Sequence, residues 1–399
     1  MSSPEAVAVF AALDEGGAKA RFVGGCVRDA VLERPIRDID LATDAPPERV
    51  VELLEAARIK VIPTGIAHGT VTAVVEEKPV EITTLRRDVE TYGRHAKVEF
   101  TDDWIEDASR RDFTINALSL DPDGTLHDPF DGLKDLSAHH VRFVGGAMAR
   151  ISEDVLRLLR YFRFFAHYGR PPADLEALAA CREMAPRLSQ LSAERVRAEL
   201  LKILEAPTAA DVMGLMHAEG IFEHFLPEAT NFYRLSRLIE LETTLELNDP
   251  IRRLAAVLML DETDLDALSK RLRLSNVQGD RLTAIVEHCP VIKPTLGEAE
   301  RDALLYRIGV PTFFDGALVC WAGADIDDGW KTLVAACRNW HSKKFPLRGD
   351  DVMALGAASG PSVGVLFRAV EEWWIDGGFR ADREACMERL KVLIKQSRG

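Results

Sequence analysis

Two hydrophobic periods divide this chain. From about residue 20 to 145, short runs rich in β-branched and aromatic residues (RFVGG, IDLAT, GTVTAVV, VEITTL, INALSL) are punctuated by Gly and Pro. That is the pattern of strands bounded by turns. Within the stretch, ERVVELLEAA places its apolar residues at helical spacing, and the segment reads as a mixed α/β unit. DPDGTLHDP follows the last run, and its Asp-Gly step between apolar residues predicts a hairpin turn.

Beyond Ala147 the alternation gives way to a helical period. Ile151, Val155, Leu158, Leu159 and Phe162 share one helix face, with Ser152 as the expected N-cap and Gly169-Arg-Pro-Pro as the stop. SAERVRAELLKILEAP predicts a second helix, capped by Ser192. The rest, to Gly399, reads as a helical array with short polar connectors, without a repeat of fixed period or a low-complexity linker. The fold class expected is α+β: a head over 1–146, a helical neck over 147–205, and a helical body and tail over 206–399.

At 399 residues and 47% hydrophobic content the chain can bury a sizeable core, which argues against disorder. No apolar run approaches the roughly 20 residues of a membrane span. MSSPEAVAVF also lacks a basic stretch leading into an apolar core, so a cytoplasmic protein without a membrane partner is expected. Cys26, Cys181, Cys289, Cys320, Cys337 and Cys386 form no CxxC pair, and they are expected to be reduced, buried thiols. The net charge of −14 runs against the basic footprint of a nucleic-acid binder. Any RNA site must therefore be local, and Arg86, Arg87, Arg110, Arg111, Arg157, Arg160, Arg163, Arg195 and Arg197 cluster in the first half.

Candidate chemistry begins at FVGGCVRD and RDIDLAT. The Gly24-Gly25 pair after a β-run lets the backbone approach a phosphate, and Arg28 can add a bidentate contact. In Asp38-Ile39-Asp40 the two-residue period puts both carboxylates on one strand face, while Ile39 and Leu41 point to the core. Mg²⁺ takes one or two carboxylates plus substrate phosphates, which suits such a pair. A DxD standing alone is more often a solvated strand edge; the Gly-Gly-x-x-Arg-Asp upstream changes the reading. Farther on, Asp154 and Arg157 are spaced to be neighbours on a helix, with Arg160 and Arg163 continuing an adjacent row. In isolation such a pair is a surface salt bridge.

FVGGCVRDAVLERPIRDIDLATDA resembles the signature of polymerase-β-like nucleotidyltransferases, in the branch that holds bacterial CCA-adding enzymes and bacterial poly(A) polymerases. PTGIAHGTVT, VEITTLRRD, RRDFTINALSLD, DPFDGLKDL, VRFVG, EDVLRLLRYFRF and SAERVRAELLKIL resemble later motifs of that branch, as do LPE and RLRLSN. The likeness runs in order from residue 20 to 276. It implies that Gly25 and Arg28 hold a triphosphate, that Asp38 and Asp40 hold the metals, and that Glu81 is a candidate third carboxylate. Arg110 and Arg111 would contact the nucleotide and Asp112 the ribose. EDVLRLLRYFRF would select the base.

The expected activity is addition of CCA to the tRNA 3′ end from CTP and ATP without a nucleic-acid template. Asp154 can only accept and Arg157 can only donate, so the pair suits the edges of C and A, whereas U and G present the reverse polarity. The resemblance also implies that Arg87 to His95 is a mobile loop that helps the pocket change from CTP to ATP. Alternatives are a bacterial poly(A) polymerase and a CC-only enzyme. PTGIAHGTVT lacks arginines at Ile66 and Ala67, which argues against the first; RRDVETYGRHAKVEF is intact, which argues against the second. An RNA-binding scaffold would need neither aspartate. His68, His127, His139 and His140 show no metal-ligand spacing, and 205–399 contains no His-Asp pair of a phosphohydrolase domain. Lys343, Lys344 and Arg348 form a short basic patch that could meet tRNA. No obligate protein partner is expected.

Overall fold

The computed structural model describes residues 3–36, 38–92, 95–258, 264–324, 329–355 and 361–396. Helix α1 (Pro4–Glu15) opens the chain, with the Ser3 hydroxyl accepting from the Ala6 amide at 3.3 Å. The strands that follow are β1 (Ala20–Val23), β2 (Asp40–Thr43), β3 (Lys60–Gly65), β4 (Thr70–Val75), β5 (Lys78–Thr84), β6 (Arg86–Tyr92), β7 (His95–Phe100), β8 (Ser119–Leu120) and β9 (Leu126–His127). Between them lie α2 (Gly25–Val31), α3 (Pro47–Ala56) and α4 (Trp104–Ser109), and α5 (Gly132–Ser137) comes after β9. Seven strands make one mixed sheet in the order β3-β4-β5-β2-β1-β8-β9, in which β2 and β5 are parallel. Helices α1 and α3 pack together and against this sheet. Val9, Leu13, Val50 and Leu54 from the helices are buried, as are Leu41, Val71, Ala73, Val80 and Ile82 from the strands.

Two expectations change here. INALSL is largely not a strand: Thr114–Asn116 forms a 3₁₀ turn, and pairing is confined to the short β8. The Asp-Gly hairpin is present between β8 and β9, with Gly124 at φ 93°. Arg87 to His95, read as a loop, lies mostly in a separate β6–β7 ribbon, with Arg86 opposite Phe100 and Tyr92 opposite His95. Gly93 and Arg94 lie outside the described residues.

Helices α6 (Ala147–Glu153), α7 (Leu156–Tyr168), α8 (Leu175–Met184), α9 (Ala193–Leu204) and α10 (Ala209–Ala218) follow. The single helix expected from Ile151 onward is broken. Ser152 sits inside α6, and Asp154 adopts an extended conformation between α6 and α7. Gly169 ends α7 as expected, and Ser192 precedes α9 without a side-chain capping bond. An aromatic core joins α7 to the preceding unit: Phe113 lies 4.8 Å from Phe143 and 4.9 Å from Phe164, and Phe143 stacks on Tyr161 at 5.7 Å. Accordingly residues 1–230, with 271–273, form one compact unit.

Residues 231–270 and 274–399 form the second unit. Its helices include α11 (Phe232–Thr244), α12 (Pro250–Val257), α13 (Leu265–Leu272), α14 (Asn276–His288), α15 (Glu298–Ile308) and α16 (Val310–Ala322). A buried ionic chain runs through them. Glu242 accepts from Arg253 and from Arg252, each at 2.6 Å. Asp315 accepts from Arg252 at 2.9 Å and from Arg281 at 2.7 Å. Cys289 and Cys320 are joined as a disulfide, contrary to the expectation of thiols throughout. Their sequence separation of 31 gives no pairing signal; the packing of α14 on α16 brings them together. The remaining four cysteines are free and buried. No single helix among the described residues is long and apolar enough to cross a membrane.

Candidate active site

The turn from β1 into α2 carries Gly24 and Gly25. Gly24 has φ +71°, and a Cβ there would sit 3.0 Å from Nη1 of Arg111, so neither the backbone conformation nor the space favours a side chain. Arg28, one turn into α2, is buried. Its Nε and Nη2 donate to the two oxygens of Asp29 at 2.9 and 3.0 Å, and its Nη1 donates to Asn116 Oδ1 at 2.6 Å.

Asp40 opens β2 and stands opposite Glu81 in the parallel register with β5. Asp38 is exposed and precedes the strand, and Ile39 is only half-buried, so of the two expected core residues Leu41 alone is fully inside. Burial pushes the Asp40 carboxyl above its usual range; Glu81 and Asp38 add to this and Arg111 opposes them. Such an excess of acid on one edge is what a divalent cation would relieve. Among the described residues no group of three or more candidate ligands is gathered closely enough to hold a metal by itself. The Asp38 and Asp40 pair therefore fits an ion that draws its other ligands from a substrate and water.

Asp40 shares a cavity of about 490 Å³ with Gly24, Gly25, Arg28, Arg110, Arg111, Asp112, Asp154, Arg157 and Arg160. Most of the residues predicted from sequence thus meet in one place. Asp38, Glu81 and Arg163 do not line it. Arg163 belongs instead to an ion pair with the buried Glu199 of α9, with Nε 3.2 Å from Oε2. The helical period that put Arg163 in a row with Arg160 does not say which neighbouring helix claims it.

The acid–base pair is also differently built. Asp154 lies in the break before α7, so its Oδ1 accepts from the Leu156 amide at 3.1 Å, while its Oδ2 accepts from Arg195 Nη2 at 2.6 Å. Arg157 pairs with Glu153 and donates to the carbonyls of Arg150 and Arg110 at 3.1 and 3.2 Å. Asp154 and Arg157 therefore present an acceptor and a donor to the same cavity, each held by another partner. Asp112 accepts from Arg160 Nε at 2.6 Å, from Asn116 at 3.0 Å and from the Phe113 amide at 2.9 Å. Burial would raise its carboxyl, but Arg160 and Asn116 outweigh this and hold it below the ordinary value.

Three residues were not assigned to the site from sequence. Buried Asp107 accepts from Arg110 at 2.7 Å and Arg111 at 3.2 Å, and also from the Arg86 amide at the start of β6. Burial pushes it up, and the two arginines overcome that and keep it ionised. Its spacing of three and four residues before those arginines was a usable signal. Asn116, four residues after Asp112, bridges that aspartate to Arg28. Arg195 was legible only as one of the clustered arginines; its place in this cavity had no local signal, because the packing of α7 on α9 delivers it.

A glycine turn, an acidic strand edge and several guanidiniums gathered on a mixed sheet are the groups that a nucleotidyltransferase site requires. The comparisons agree: residues 20–142 match the family described as Poly A polymerase head domain, and residues 174–233 match the probable RNA and SrmB-binding site of polymerase A. The chain is 34% identical to the mitochondrial CCA tRNA nucleotidyltransferase 1 of Danio rerio, over 93% of this chain and 86% of that one. With the CCA-adding enzyme of Streptococcus sanguinis it shares 33% identity over 96% and 95% of the two chains. The crystal structure of the Bacillus stearothermophilus CCA-adding enzyme in complex with CTP is similar with a TM-score of 0.82 at 28% identity, covering 99% of each chain. The chain belongs to the CCA-adding tRNA nucleotidyltransferases.

Proposed function

We propose that this protein adds and repairs the 3′-terminal CCA of tRNA from CTP and ATP. The observation that carries the reading is the single cavity in which the phosphate turn (Gly24, Gly25, Arg28) and Asp40 face Asp154 and Arg157. One end suits a triphosphate and the other a base.

In this reading Arg28, Arg110 and Arg111 bind the phosphates, and Asp112 orients the sugar. Asp154 accepts from the exocyclic amino group of C or A while Arg157 donates to the adjacent ring acceptor; U and G would meet donor with donor and acceptor with acceptor. The tRNA 3′-oxygen attacks the α-phosphorus, its proton leaves to solvent, and the α–β bridging bond breaks with release of pyrophosphate. Mg²⁺ held by Asp38 and Asp40, with Glu81 beside Asp40 on the next strand, would lower the pKa of the hydroxyl and stabilise the leaving group. The head (1–146) carries the chemistry, the neck (147–205) carries base selection, and the helical remainder (206–399), including Lys343, Lys344 and Arg348, carries tRNA. The reaction is placed in the cytoplasm and needs no protein partner.

The test is incubation with tRNA transcripts ending before CCA, after C or after CC, with each labelled nucleotide. Completion to CCA and then arrest is the expected result. Runs of A would indicate a poly(A) polymerase, arrest at CC a partial enzyme, and no extension a scaffold.

A further inference from the structure

Arg28 is the guanidinium of the phosphate turn, yet its setting depends on a residue outside that turn. Tyr168, the last residue of α7, places its ring against Arg28, with the guanidinium carbon 4.2 Å from the ring centroid. Arg34 covers the ring as well, at 4.7 Å, and donates from both Nη atoms to the His167 carbonyl at 3.1 and 3.2 Å. The Tyr168 hydroxyl donates to Asp29 Oδ1 at 3.1 Å, the same oxygen that accepts from Arg28 Nε. Phe164, one turn earlier on α7, lies 5.3 Å from the Arg28 guanidinium carbon. Tyr168 itself does not line the cavity.

We propose that Tyr168 is the positioning residue for Arg28, clamping the phosphate turn to the helix whose other end bears Arg157. A guanidinium has five N–H donors in a fixed plane. The bonds from Nε and Nη2 to Asp29 and from Nη1 to Asn116 occupy three of them, leaving two for an anion in the cavity that Arg28 lines. The plane must be fixed for those two to meet a phosphate; the bonds to Asp29 and Asn116 hold its edge, and the tyrosine ring lying against its face keeps it from tilting. Burial pushes the phenol above its ordinary value, and Asp29 adds to this, so the hydroxyl stays a donor at neutral pH. Helix α7 then acts as a spacer: the eleven residues from Arg157 to Tyr168 span about 16 Å along its axis. This sets how far the phosphate end of the cavity lies from the base-selecting end.

This role rests on the phosphate-binding reading of Arg28, so the experiment separates the two. KM and kcat for CTP and for ATP, together with Tm, are measured for Tyr168→Leu, Tyr168→Phe and Arg28→Ala. Loss of the cation–π contact in Tyr168→Leu should raise KM for both nucleotides roughly tenfold with kcat little changed. Tyr168→Phe keeps the ring and should recover most of that loss. Equal losses in the Phe and Leu variants that follow a falling Tm would make Tyr168 merely structural and overturn the proposal. A raised KM in Arg28→Ala beside an unchanged KM in Tyr168→Leu would overturn the positioning role alone. An unchanged KM in Arg28→Ala would refute the phosphate reading beneath it.

Discussion

Replacing Asp154 by Ala tests base selection, and the structure says what else the substitution removes. Besides the acceptor facing the cavity, it takes away the bond to the Leu156 amide and the partner of Arg195. The amide bond is a local side-chain-to-backbone turn bond just ahead of α7, worth about 0.5–1.5 kcal/mol. The Arg195 pair is about one-fifth exposed on each side and, discounted for screening, adds roughly 0–1 kcal/mol. A modest fall in Tm is therefore expected for reasons unconnected with specificity. Loss of one base pairing should cost about 1–3 kcal/mol of discrimination, roughly 5- to 150-fold in relative kcat/KM.

The assay is kcat/KM for CTP against UTP, and for ATP against GTP, in the wild type, Asp154→Ala and Arg195→Ala. The arginine variant disturbs the ion pair but keeps the acceptor, so its base preference should largely survive. A folded Asp154→Ala protein with the wild-type CTP:UTP ratio and only a lower overall rate would show that selection lies elsewhere.

Asp38→Asn and Asp40→Asn should fold and bind nucleotide but fail to extend tRNA; because burial and Glu81 disfavour ionised Asp40, Tm of the Asp40 variant should be equal or higher, and near-normal extension would exclude the metal assignment. Asp107→Asn weakens the shared hold on Arg110 and Arg111 and should raise KM for both nucleotides on the order of tenfold, as steady-state titration would read. Replacing the outer part of the β6–β7 ribbon, residues 88–98, by a short glycine linker should spare C addition and abolish A addition on labelled transcripts; equal loss of both would mean that the ribbon only supports the head. Asp315→Ala leaves the buried Arg252 and Arg253 to share Glu242 alone and should destabilise the second unit by about 3–5 kcal/mol, seen as a lower Tm with unchanged nucleotide KM.

Local patterns were legible wherever the determinant lies within a few residues. The strands in IDLAT and GTVTAVV, the Asp-Gly hairpin and the glycine turn before Arg28 are each set by β-rich composition and backbone sterics, and they appear where the sequence places them. Gly24, Gly25 and the side chains of Arg28, Asp40, Arg110 to Asp112, Asp154, Arg157 and Arg160 also meet in one cavity.

Partner choice was not legible, because an ion pair is decided by what tertiary packing brings within about 4 Å. Period alone made Asp154 and Arg157 a pair on one helix; the break at Asp154 and the approach of α9 gave the aspartate to Arg195 and left Arg157 with Glu153. The same helix took Arg163 away from the cavity. The Cys289–Cys320 bond depends likewise on two helices meeting, with nothing in the spacing to announce it. Sequence thus determined the chemical types available to the site and most of the elements that carry them. Tertiary structure decided which charges neutralise one another and which remain facing the cavity, since both follow from distances between segments far apart in the chain.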